Sequence, residues 1–142
     1  MGGRGRRAAV LLLAASVALP AAGACSGDDE GSAEELCAAL RDQPSIATTF
    51  EGFDPTDVDG ALEQLRSARV ALGDLRDAAP SDLRDDLTVE IDYVQALIDA
   101  LEPLTGADAV DIVAAVQQVT ADHPEVEGAA AELSSFSEST CR

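Results

Sequence analysis

Seven apolar residues, Val58, Leu62, Leu65, Ala68, Leu72, Leu75 and Ala79, recur at spacings of four, three, three, four, three and four. That rhythm keeps all of them on one face of a helix for about six turns. A stripe this long must be covered by another element, and the chain supplies one at once. After Pro80-Ser81-Asp82, the residues Leu83, Leu87, Ile91, Val94, Ile98 and Leu101 build a second stripe with the same period. The connection is too short for the two helices to separate, so they are expected to fold back as an antiparallel hairpin.

The rest of the chain after residue 31 repeats this grammar. Ser32-Ala33-Glu34-Glu35 spells a capping box, in which hydroxyl and carboxylate each satisfy a backbone N–H at the start of a helix. That first helix is expected to run to about Gln43, with Leu36, Cys37 and Leu40 on one face and Pro44 ending it. Asp54 is expected to cap the long second helix, with Pro55 at its first position. Beyond a break at Pro103 to Ala107, a fourth segment carries Ala109, Ile112, Val113, Val116 and Val119, and a fifth carries Val126, Ala130, Leu133 and Phe136. His123-Pro124 lies between them, and because proline either starts a helix or kinks one, residues 106–140 read equally as two helices or one bent helix. No run alternates in the manner of a strand. The expected fold is therefore all-α, a single bundle of four or five helices.

The N-terminal residues state an address. MGGRGRR carries three arginines and no acid, and only twelve residues, Ala8 to Leu19, precede Pro20. This is short of the roughly 20 apolar residues a spanning helix needs, and it has the layout of a cleaved signal peptide over residues 1–24. Ala22-Gly23-Ala24-Cys25, followed by Ser26, resembles the lipobox of bacterial lipoproteins, although Ala22 stands where Leu is usual and the same residues read as an ordinary small-residue cleavage site. Both readings cut the same bond. They differ in whether Cys25 carries lipid, holding the protein at the outer face of the cytoplasmic membrane, or the protein is secreted.

Cysteine arithmetic favours lipid. The chain has three cysteines, and in an oxidising compartment three leave one without a partner. Acylation of Cys25 leaves Cys37 and Cys141 to form a disulfide between the first helix and the end of the last. Residues 25–31 then make a lipidated cysteine with an acidic, flexible tether of about 20 Å at full extension, and residues 32–142 make the bundle.

The chain contains no lysine and 27 alanines. Together with the lipobox, this resembles the small exported lipoproteins of high-GC actinobacteria, some of which are helical domains with a cysteine near each end. The resemblance covers the export signal and general helical make-up, and brings no activity with it.

Cleavage before Cys25 removes three of nine arginines and none of the 27 acids, leaving 118 residues with a net charge of −21. Nucleic acid is thereby a poor partner, since its affinity comes largely from cations that neutralise phosphates, and anionic head groups would repel the domain. With only three Phe, one Tyr and no Trp, the core has little aromatic area to bury. A disulfide would brace it.

Motifs for chemistry are sparse. Asp57-Val58-Asp59-Gly60 has the look of a calcium loop, but the aligned first and last ligand positions hold Pro55 and Arg66, so these acids are read as N-terminal helix residues. His123 is the sole histidine and has no second soft ligand at helical spacing, so no metal and no cofactor is expected. Asp85, Asp86 and Glu90 would serve as acid and base only in a desolvated cleft; on a chain this acidic they read as a solvated face. Phe50 and Phe53 flank Gly52 in the one long non-helical stretch and are expected to cap the bundle's end or line a groove for an apolar ligand or partner helix. The functional expectation is a membrane-tethered, non-enzymatic module that binds an envelope protein or ligand, with no catalytic residues assigned. A carboxylate-only envelope enzyme and a low-affinity binder of cationic ligands are the alternatives.

Overall fold

The computed structural model describes residues 31–42 and 54–141. The expected signal peptide, Cys25, most of the tether, and Phe50 and Phe53 lie outside the described residues. Within them are five α-helices: α1 (Ala33–Asp42), α2 (Val58–Ala78), α3 (Ser81–Leu101), α4 (Ala109–Asp122) and α5 (Val126–Thr140), with a short 3-10 turn at Glu102–Leu104. The fold is an all-α bundle braced by one disulfide.

The α2–α3 hairpin forms the spine. All seven residues of the first stripe are buried, and so are Leu83, Leu87, Val94, Ile98 and Leu101 of the second; Ile91 is half-buried. Leu97, which the pattern does not select, is buried as well. Each helix has 21 residues, a length of about 31 Å.

The capping box forms as written: the Glu35 N–H donates to Ser32 Oγ at 3.2 Å, and the Ser32 N–H donates to Glu35 Oε2 at 2.9 Å. The cap expected at Asp54 does not. Asp54 instead accepts from the Thr56 N–H at 2.8 Å and the Thr56 hydroxyl at 2.6 Å, a local turn that competes with helix initiation. These hydrogen bonds hold its carboxyl below the usual carboxylate value. Helix α2 starts three residues later, capped by Asp57, whose carboxylate accepts from the Gly60 N–H at 3.0 Å. Asp57→Ala should therefore cost about 1 kcal/mol in thermal or urea unfolding, whereas Asp54→Ala should cost less.

Helices α4 and α5 are separate, which resolves the question of one helix or two. Both pack on α3. Tyr93, midway along α3, meets Thr120 near the end of α4, while Asp86, nearer the start of α3, lies within electrostatic reach of Glu132 on α5. The two helices thus run in succession against α3, with their break at His123-Pro124. Gly106, at φ +83°, makes the left-handed turn into α4 that a residue with a Cβ seldom adopts. Helix α1 packs on α2 and α5.

Two expected core positions are misplaced. Val113 is 40 % exposed and Ala130 is exposed, and the buried residues of these helices are Ile112 and Ala129. Neighbours on a helix are about 100° apart, so only one of each adjacent pair can face α3.

Candidate functional site

Cys37, buried on α1, is bonded to Cys141, the residue that follows α5, with Cα atoms 5.2 Å apart and a sequence separation of 104. This separation lies within the range a disulfide spans. The Arg41 side chain closes the end of α1 by donating from Nε to the Cys37 carbonyl at 3.0 Å. The bond ties the N-terminal helix to the end of the chain, so its contribution is to rigidity.

His123 lies at the α4–α5 joint. Its Nδ1 is 3.2 Å from Glu125 Oε1, and its ring meets that of Tyr93 edge-on at 5.9 Å between centroids. The Tyr93 hydroxyl is 3.0 Å from Thr120 Oγ1, and Thr120 in turn donates to the Val116 carbonyl at 2.9 Å. Since the threonine proton is committed to Val116, tyrosine is the donor in the Tyr93–Thr120 pair. The cluster brings together the only tyrosine and the only histidine, and its hydrogen bonds fasten α4 to α3. Among the described residues no group of three or more His, Cys, Asp or Glu side chains is placed to hold a metal ion.

Asp86 and Glu90 sit partly exposed on α3. Desolvation raises both carboxyls above the usual value, and for Asp86 the charges of Glu132, Asp85 and Asp82 add to it. A carboxyl with a raised folded-state value binds its proton more tightly in the native protein. Its full benefit lies below the unfolded carboxylate range and is lost as pH rises through the folded value, leaving a penalty at neutral pH. Glu90→Gln should therefore raise Tm at pH 7 by about 2 °C, since 1 kcal/mol moves Tm by about 4–8 °C for a domain of this size and a half-exposed group contributes only a fraction of that. In differential scanning calorimetry the gain should disappear at pH 3; an equal gain at both values would assign it to packing. Among the described residues no polar or charged side chain is fully buried.

The feature that the sequence reading missed is on α4. This helix buries Ile112 against α3 and rests Val116 and Val119 on the same core. On its opposite side Val110 is 78 % exposed, Val113 is 40 % exposed, and Ala114, Gln117 and Ala121 are also exposed. Successive spacings of three or four along Val110, Val113 or Ala114, Gln117 and Ala121 mark a second stripe on the outward face. That spacing is present in the sequence, but the same period places Val113 in the core as readily as on the outward face. Asp111 and Asp122 are exposed along one flank.

No helix among the described residues is long and apolar enough to cross a membrane. No protein-family model, curated protein or solved structure matches the chain.

Proposed function

We propose that this protein is a lipid-anchored, extracytoplasmic binding module, held at the outer face of the cytoplasmic membrane by Cys25 and acting without catalysis of its own. The observation that carries the binding part is the outward stripe of α4, where two of the three exposed large apolar side chains among the described residues, Val110 and Val113, lie on one helix face. An unpartnered apolar face of this kind is where a soluble domain meets another molecule.

The position of Gly31 fixes where the bundle begins. A Cβ at this residue would overlap the backbone of Ala78 and Ala79, so the chain emerges from residue 31 at the turn between α2 and α3. The opposite end of the hairpin carries the turn into α4 and Val110, about 30 Å from Gly31 by the length of α3. The outward stripe would then stand clear of the lipid.

Two experiments test the two halves. Cys25→Ala should move the protein from the membrane fraction to the soluble fraction; a variant that stays in the membrane after signal cleavage would contradict the anchor. A photo-cross-linking residue at Val110 in living cells should capture one dominant envelope protein or ligand, and no capture above that from Val70 would contradict the binding role.

A further inference from the structure

We infer that the outward face of α4 docks a cationic amphipathic helix of a partner protein, with apolar side chains seated on Val110, Val113 and Ala114 and basic side chains reaching the acids beside them. This rests on the binding-module reading and supplies the partner's chemistry.

Charge distribution selects that occupant. From Pro103 to Cys141 the chain carries seven acids and no arginine or lysine. The arginines of the described residues all lie on α1, α2 and α3, where their side chains bond within the protein: Arg66 to Glu102 and Arg69 to Gln95, both at 2.6 Å, Arg76 to Asp77, and Arg41 and Arg84 to backbone carbonyls. Among the described residues, α4 and α5 therefore present apolar area and negative charge with no arginine or lysine of their own. Such a surface steers and retains a positively charged partner.

A second copy of this chain fits poorly, because it would bring the same seven acids to the contact. An anionic lipid surface fails for the same reason. The stripe also has the length and the spacing of a helix contact. Helix α4 has 14 residues, about 21 Å of length, and Val110, Val113 and Ala114 in its first turns offer apolar side chains against which those of a partner helix can pack, with Gln117 beyond them. The contact area of one such helix places the complex among weak, reversible ones.

The test uses the intact protein in zwitterionic nanodiscs, with empty nanodiscs as the blank. It is titrated with a fluorescent peptide as long as α4 that carries leucines on one face and arginines on the other. Saturable binding is expected. Val110→Ser with Val113→Ser, both at exposed positions, should weaken it at least about tenfold, equivalent to about 1.4 kcal/mol. Asp111→Asn with Asp122→Asn should weaken it about threefold and flatten its dependence on salt, and Val70→Ser should leave it unchanged.

Equal affinity for wild type and the double serine variant would overturn the proposal, as would a signal no greater than that of empty nanodiscs. So would self-association of the wild type that the serine variant abolishes, which would make a second copy the occupant. If the peptide fails while the cross-linker at Val110 captures a partner in cells, the binding module stands and the cationic chemistry falls. If both fail, the binding reading falls with it.

Discussion

Replacing Cys37 and Cys141 together by alanine is expected to lower Tm by about 15 °C or more. The bond closes a loop of 104 residues in sequence separation, for which the chain-entropy model gives about 4 to 5 kcal/mol, reduced in practice by residual structure in the unfolded state. A loss of about 3 kcal/mol is a large share of the roughly 5 to 15 kcal/mol that holds a domain together, and each 1 kcal/mol corresponds to about 4–8 °C. This chain is sensitive to that loss because its core is built from Leu, Val, Ile and Ala with few aromatics, and α1 has only 10 residues with which to hold itself on α2 and α5. Calorimetry of the double variant beside oxidised and reduced wild type measures the effect. Reduced wild type should match the variant, and oxidised protein with the same midpoint as both would show that the bond adds nothing.

Leu87→Ala should cost about 3 kcal/mol. Leu87 is 1 % exposed on α3 and belongs to the continuous core shared with Leu36 of α1, Leu75 of α2 and Ile112 of α4. Truncation loses the transfer energy of the buried methyl groups and opens a cavity that helices held on several sides cannot collapse around, for which the usual range is about 2–5 kcal/mol. Val70→Ala, at a residue 61 % exposed on α2, should remain within about 0.5 kcal/mol of wild type. Urea unfolding should show the midpoint of the Leu87 variant displaced with an unchanged slope. Equal midpoints for the two variants would contradict the placement of the core.

The contrast between those residues shows what was legible in the sequence. Stripes α2 and α3 are leucine-rich, long and apolar on one side only, so period and burial coincide at Leu62, Leu65, Leu72, Leu75 and Leu87. Helices α4 and α5 are short and rich in small apolar residues on more than one face, and there periodicity alone could not separate Ile112 from Val113 or Ala129 from Ala130. The α2 cap carries a similar ambiguity. Asp54 and Asp57 are both good caps, and the choice between them rests on the Thr56 hydrogen bonds that draw Asp54 into its own turn. The cysteine pair was legible because Cys37 and Cys141 remain as the one combination once Cys25 is set aside as the acylated residue. The outward face of α4 was not, because exposure depends on which side of α4 meets α3, and that is settled by tertiary packing.

The anchored, extracytoplasmic module is the central claim, and the intact mass of the protein extracted from membranes without reductant tests it most directly. The account predicts a chain that begins at Cys25, carries added acyl mass on that residue, and gains two hydrogens on reduction as Cys37 and Cys141 part. A chain that retains residues 1–24, or one that begins at Cys25 with an unmodified thiol, would contradict it.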